Sequence, residues 1–445
     1  MKLCNLPDSV ILYILDYIQD ISKLLVLNRK YYELIQSVVD RFLGMVQRRD
    51  LFLIKVPVAA ATDCEIVVIS NSQKVQFFNN YIQPKVLFIG GTQEHRKCDL
   101  FDVRSGVFKK SRSLNFKRDD EFDAILHLGL VFAISGSQQS SLGRVECYNS
   151  VQNIWIEQLS LPRALVSMSS ATFRGNLYVI GGNDAILVCD MGVIRCLYSF
   201  VSLPHSYCLS FHSTGGYDIR GNNRSSDVYR LTEDVLVHSE DELSSTNAHS
   251  SDMWPKCAVA LRTGRSHHSC ITFNDKIWVV AGVTRDSVYA SNQVELLDPV
   301  IGTSEVGPSL NKPRFSPHLL ILDGILYCIG GDMIGPIRSI GSIEKFNPFT
   351  NSWQYVTSFP TKRTKGAIFG YGSRIYLFGG SNAACPETMT TWDFYCTRTH
   401  RWASTAQTPS IDGHHLVDKL SSFQGRDKGI NCTKAVVMDY AEVYR

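Results

Sequence analysis

No run of about 18 uninterrupted apolar residues occurs in the sequence, so no membrane-spanning helix is expected. Cys-x-x-Cys is also missing. The 13 cysteines are odd in number and scattered, which argues against a disulfide framework or zinc site and for reduced, buried thiols in a cytoplasmic or nuclear protein. Neither sign of charge dominates: 45 Lys and Arg against 42 Asp and Glu leave +3 with no basic stripe, and nucleic acid is not an expected partner. The compact basic cluster Gln47-Arg48-Arg49 reads as a solvated helix end. A secretory leader is not expected either. Lys2 precedes an apolar stretch, but Pro7, Asp8, Asp16 and Asp20 interrupt it and no small-residue cleavage site follows. No carboxylate pair or nucleophile motif accompanies the adjacent histidines His267-His268 and His414-His415. Neighbours on a strand point to opposite faces, so each pair offers at most one ligand to a site. Catalysis, a metal and a cofactor are therefore not expected.

What the sequence does have is a recurring glycine pair. It stands at Gly90-Gly91, Gly181-Gly182, Gly215-Gly216, Gly330-Gly331 and Gly379-Gly380, with weakened copies at Ser135-Gly136 and Ala281-Gly282. Successive copies are 45, 46, 34, 66, 49 and 49 residues apart, a repeat period that implies an architecture. Most pairs close a short apolar run, such as LYVIGG at 177–182, LYCIGG at 326–331 and IYLFGG at 375–380. Such runs read as buried strands, and the glycines as positions that need positive φ or room for a neighbouring backbone. Downstream, 344–353 and 145–155 supply two further strands around an Asn-Pro or Asn-Ser turn, ending in Trp353 and Trp155; upstream, 264–282 and 315–331 supply a fourth around Asn-Asp or Asp-Gly. Four antiparallel strands per unit make a propeller blade, because a ring of such sheets protects its edges.

The glycine pair, spaced aromatic and Trp resemble the kelch repeat over about residues 80–410. The expected fold is thus mainly β, a kelch-type β-propeller over 49–445, with seven blades favoured and six if the Gly215 copy is a long loop. The polar stretch 239–252 reads as a mobile inter-strand loop. Strand-like segments at 51–54, 65–69 and 434–440 suggest closure by N- and C-terminal strands. Some kelch propellers are copper oxidases or sugar-processing enzymes, but the residues those chemistries need are not found together here.

The first fifty residues break the period and read as helical. Asp8 or Ser9 can cap a helix that is apolar on nearly every face, a leucine-rich helix follows from Ile21, and Tyr31, Leu34, Ile35, Val38, Val39, Phe42 and Leu43 form a third stripe at helical spacing. The opening Leu6-Pro7-Asp8, the apolar helix and the helix ending in Asn28-Arg29-Lys30-Tyr31-Tyr32 resemble an F-box, here a small α-helical domain of residues 1–48. The resemblance implies a Skp-type adaptor, and through it a cullin, bound by Leu6, Pro7, Val10, Ile11, Ile14, Leu15, Leu24, Leu27 and Tyr31. Too few residues precede the propeller for a BTB domain. A helical lid over the propeller is the bland alternative.

Arg118, Arg163, Arg265, Arg314 and Arg363 precede their glycine-type pairs by 17, 18, 16, 16 and 16 residues. Equal phase places them equivalently in each blade. With His267 they form an expected rim for a protein target, acidic or phosphorylated, since guanidinium forks suit carboxylates and phosphates; the alternative is a repeat-structural arginine. The combined expectation is a non-enzymatic substrate-recognition subunit of a cullin-RING ubiquitin ligase. The second reading is a kelch scaffold unrelated to ubiquitin, for instance cytoskeletal.

Overall fold

The computed structural model describes residues 85–91, 95–103, 106–118, 121–127, 129–150, 153–184, 224–231, 253–287, 289–333, 339–381, 391–404 and 434–438. The adaptor-binding candidates, the segments 51–54 and 65–69, Gly215-Gly216 and His414-His415 lie outside these residues.

Six antiparallel sheets form six blades, five of them four-stranded. Counted outward from the axis, the first blade is Lys434–Met438, Lys85–Ile89, Cys98–Asp102 and Val107–Lys110. The second is Asp123–His127, Leu130–Ile134, Val145–Asn149 and Ile154–Gln158. The third has Ser169–Phe173, Asn176–Ile180 and Val228–Arg230, with a bridge from Tyr229 to Lys256 in place of a described fourth strand. The fourth is Ser269–Phe273, Lys276–Val280, Val294–Asp298 and Thr303–Val306. The fifth is His318–Leu322, Ile325–Ile329, Ser342–Asn347 and Ser352–Ser358; the sixth is Ala367–Tyr371, Arg374–Phe378, Trp392–Cys396 and Arg401–Ser404. The innermost strands touch in the order of the blades, and the sixth returns to the first.

Seven blades is therefore corrected to six. Ile180 pairs directly with Val228 within the third blade, and the innermost strand of that blade touches that of the fourth, so six described blades close the ring.

The apolar runs are buried for a geometric reason. Each second strand lies in a sheet packed on both faces, so its burial is continuous rather than alternating. The apolar clusters sit between blades: Phe132 and Val179 join the second and third, Tyr178 and Val279 the third and fourth, Trp278 and Phe346 the fourth and fifth, Tyr327 and Ile375 the fifth and sixth. Between the first and sixth, Phe88 packs edge-on against Phe369 and Phe378 at 6.1 and 5.4 Å. Two-residue turns join first to second strands with both φ values positive, as at Asn274-Asp275 (48° and 55°) and Asp323-Gly324 (50° and 73°), the mirror-image turns whose twist matches a hairpin.

The first blade takes its innermost strand from the far end of the chain. Lys434–Met438 pairs residue for residue with Lys85–Ile89, and Lys434 Nζ lies 3.8 Å from Asp123 Oδ1 of the second blade. Truncation before Lys434 would bare the edge of Lys85–Ile89 and one side of the Phe88 cluster. Insoluble protein, or a melting temperature far below that of the full chain, is the expected result. A soluble truncation melting like the full chain would refute this account of closure.

Candidate target-binding face

The glycine pair ends the second strand, and the segment before the next innermost strand passes over it. The first member of each pair is left-handed: φ is 61° at Gly90, 55° at Ser135, 64° at Gly181 and Ala281, 62° at Gly330 and 61° at Gly379. In three pairs the second member donates its N–H to a carbonyl of the following blade, Gly91 to Arg118 (3.1 Å), Gly182 to Arg265 (2.9 Å) and Gly282 to Arg314 (3.0 Å). A Cβ on Gly181 would lie 2.7 Å from the Arg265 oxygen, so the close approach, as well as the positive φ, favours glycine. Ser135 meets the corresponding carbonyl, that of Leu165, by donating its hydroxyl.

The side chains of these arginines turn inward. Arg118 binds Glu146 (3.0 Å), Arg363 binds Asp393 (2.5 Å), and Arg265 and Arg314 bind Glu295 and Glu344. Each guanidinium also donates to the carbonyl of the first glycine-type residue: Ser135, Ala281 (3.1 Å), Gly330 (2.7 Å) and Gly379 (3.3 Å). Three of the carboxylates accept a second bond from the amide three residues before the arginine, Asn115 (2.9 Å), Arg262 (2.8 Å) and Asn311 (3.0 Å). In the sixth blade Pro360 has no N–H at that position, and Asp393 Oδ1 is buried without a partner. Burial lowers the Arg118 guanidinium and raises the Glu146 carboxyl, and their mutual attraction opposes both shifts. Each arginine thus ties two blades, through its carbonyl or neighbouring backbone to one and through its guanidinium to the next. The expected rim placement of Arg118, Arg265, Arg314 and Arg363 is corrected: all four are buried, since a guanidinium beside a buried carboxylate gains more there than in water.

Arg163 is different. It lies two residues before the staple position, where Leu165 stands, pairing with Asp184 as Arg265 pairs with Thr284. Tyr229 occupies the carboxylate's register, opposite Val179 as Glu295 is opposite Val279. Leu165 and Tyr229 share one apolar cluster, so the third blade replaces the ion pair with an apolar contact. Arg163 is left at the surface, its side chain 42% exposed, 2.7 Å from Asp227, which also meets Lys256 at 2.6 Å.

Around the axis, two residues beyond the staple position or three in the second blade, runs a collar of left-handed residues: Glu121, Ser167, His267, Ser316 and Lys365, with φ of 59°, 53°, 54°, 49° and 59°. Ser167 N donates to Glu121 O (3.0 Å), His267 N to Ser167 O (2.9 Å) and Ser316 N to His267 O (2.6 Å). His267 is half-buried, with Ser266 Oγ 3.2 Å from Nδ1, and Ser167 Oγ at 3.2 Å and Glu121 at 3.9 Å from Nε2. Serine and carboxylate meet the same ring nitrogen, an arrangement unlike a relay in which the acid orients the base from its other side. His268 points inward with Nε2 3.1 Å from the Ile180 carbonyl. Burial, then the Arg265 charge, lowers its pKa to about 3. Sequence reasoning missed Glu121, Lys365 and Arg224 because left-handed Glu or Lys carries no glycine signal and Arg224 stands outside the repeat phase.

Residues 313–360 match the Kelch motif, a span that contains Arg314, Glu344 and Trp353. Beta-scruin of Limulus polyphemus is 23% identical over 398 residues, covering 84% of this chain and 38% of that protein. The kelch repeat and BTB domain-containing protein 13 of Homo sapiens is 28% identical over 157 residues, 34% of this chain and 32% of that protein. An F-box/kelch-repeat protein of Arabidopsis thaliana is 29% identical over 116 residues, 25% of this chain and 30% of that protein. This chain thus covers about a third of the length of each relative. The described residues form a kelch-type β-propeller of six blades.

Arg314→Ala leaves Glu344 buried without its cation and should destabilise the chain by about 3–5 kcal/mol, measured by urea unfolding. Arg314→Leu with Glu344→Tyr copies the third blade and should recover most of that loss; a double variant as unstable as Arg314→Ala would refute the equivalence. A second test is pH. The unfolded chain protonates His268 near pH 6.5, whereas the folded chain does so only at about 3. Its contribution to stability is complete above about 6.5 and falls as pH drops toward 3, with a slope of up to ~1.36 kcal/mol per pH unit. His268→Gln should flatten the stability profile over that window, and an unchanged slope would show that His268 does not hold its neutral form.

Proposed function

We propose that this chain is the target-recognition subunit of a cullin-RING ubiquitin ligase. In this reading residues 1–48 are an F-box-like domain that docks a Skp-type adaptor and residues 49–445 are the propeller that holds a protein target. The observation that carries it is the pairing of the Leu6-Pro7-Asp8 opening and the apolar sequence after it with a kelch-type propeller; the F-box/kelch-repeat relative adds support. Such a subunit performs no chemistry and acts in the cytoplasm or nucleus. It raises the effective concentration of target lysines at the ubiquitin-loaded enzyme, and a propeller tied blade to blade supplies a rigid platform for that purpose. The target meets the face that carries the collar, through Arg163, His267 and the cations beside them. An interaction scaffold outside the ubiquitin system is the second reading, favoured by the beta-scruin match, which runs over 84% of this chain under a name that carries no F-box.

Affinity purification of the full chain should bring down a Skp-type adaptor and a cullin. Ile11→Asp with Leu15→Asp should abolish that capture, because charges on an apolar docking helix cost more than a contact can return, while the melting of the propeller stays unchanged. Undiminished capture by the double variant would sink the F-box assignment, and a wild-type chain that captures neither protein favours the scaffold.

A further inference from the structure

Arg224 bridges the third and fourth blades at the edge of the collar. Its Nε donates to Ser266 Oγ (3.2 Å) and its Nη1 to the carbonyls of Thr284 (2.7 Å) and Ser287 (3.0 Å). Every one of these acceptors is neutral. Among the described residues no carboxylate pairs with Arg224, and its Nη2 has no partner. The contrast with Arg118, Arg265, Arg314 and Arg363, each set on an acid, is chemical rather than positional. Burial lowers the Arg224 pKa, and no charge among the described residues offsets it, whereas a half-buried cation is ordinarily compensated.

A second arginine is fixed against the Arg224 backbone. Arg285 Nη2 donates to the Arg224 carbonyl (2.9 Å), and the Arg285 amide donates to Gly264 O (2.7 Å). The seat is shaped for this: a Cβ on Gly264 would stand 2.2 Å from the Arg224 carbonyl oxygen. Ser266 Oγ, which accepts from Arg224 Nε, also lies 3.2 Å from His267 Nδ1, and His267 Nε2 faces Ser167 and Glu121. Glu121 Oε1 lies 3.9 Å from His267 Nε2, and among the described residues the exposed Asp286 carboxylate next to Arg285 pairs with neither guanidinium.

We propose that Arg224 and Arg285 form an anion-binding subsite at the edge of the axial collar, which takes a carboxylate or phosphate group of an acidic or phosphorylated protein segment. Arg285 is exposed and Arg224 half-buried, and a guanidinium fork matches the bidentate geometry of either group. The subsite deepens the target-recognition reading and rests on it only for the identity of the bound molecule as a protein.

The test is calorimetric titration of the full chain at low salt with two probes, hexaglutamate and inorganic phosphate. Saturable binding of at least one is expected, tighter hexaglutamate assigning a carboxylate source and tighter phosphate a phosphoryl one. Arg285→Gln, which removes an exposed fork and leaves the Arg224 guanidinium contacts in place, should weaken binding about tenfold, and Arg224→Gln at least as much. Arg285→Lys should recover part of the loss by keeping charge without the fork. Lys109→Gln with Lys110→Gln, on the outer strand of the first blade, should change nothing. Binding of neither probe, or Arg285→Gln binding as wild type does, overturns the proposal. No adaptor or cullin is present in the assay, so its failure is distinct from failure of the ligase reading.

Discussion

The buried arginine–carboxylate staple is the interaction on which the propeller depends. A blade is a small sheet with apolar faces, and apolar faces alone do not fix how one blade is offset against the next. The staple does, because a guanidinium has a rigid fork and each of its bonds has a direction. In the second, fourth, fifth and sixth blades it reaches a carbonyl at the end of the second strand and a carboxylate on the third, while nearby backbone grips the preceding blade. Desolvating such a pair is costly. Part of the compensation comes from the extra donors and acceptors around it, such as the Asn115, Arg262 and Asn311 amides.

The third blade shows that the ion pair is one solution among others. Leu165 and Tyr229 fill its place in an apolar cluster, in line with the near-neutral exchange of buried ion pairs for well-packed hydrophobic side chains. The substitution changes the surface too. Arg163, displaced by two residues, is free to meet Asp227 in partial contact with water, and Arg224 enters from the same blade to reach across to the fourth. Arg163 and Arg224 thus both lie where the repeat is broken. The residues that could distinguish this propeller from others of its kind are those that the repeat does not dictate.

The collar has a different origin. Five non-glycine residues in the left-handed region cost of order 1–3 kcal/mol each, and they persist because the bonds between neighbouring blades over-determine the backbone there. His267, His268 and Ser266 follow one staple in sequence yet serve three directions: the collar, the interior and the hydroxyl that links Arg224 to the imidazole. Adjacent residues can separate their roles so sharply because the left-handed backbone at His267 turns the chain between Ser266 and His268.

Much of the fold could be read from the sequence. The glycine pairs, the apolar runs and the turns at Asn274-Asp275 and Asp323-Gly324 follow from local physics, in which positive φ, close approach and buried strands each have a residue signature. The blade number did not follow, because a glycine pair at 215–216 has the same two letters whether it ends a strand or lies in a connection; only the pairing of Ile180 with Val228 and the closure of the ring by six described blades decided it. The arginine phase was legible too, but its direction was not. Periodicity states that Arg118, Arg265, Arg314 and Arg363 are equivalent, and says nothing of whether equivalent side chains face solvent or a carboxylate about 30 residues onward. Arg224 and Glu121 had no signal at all, for their importance lies in neighbours supplied by other blades. What the sequence by itself determined is the repeating unit, since each unit is specified by short-range chemistry. What only the tertiary structure decided is which charges are consumed in joining the units and which remain for a partner, because that depends on contacts between residues far apart in the chain.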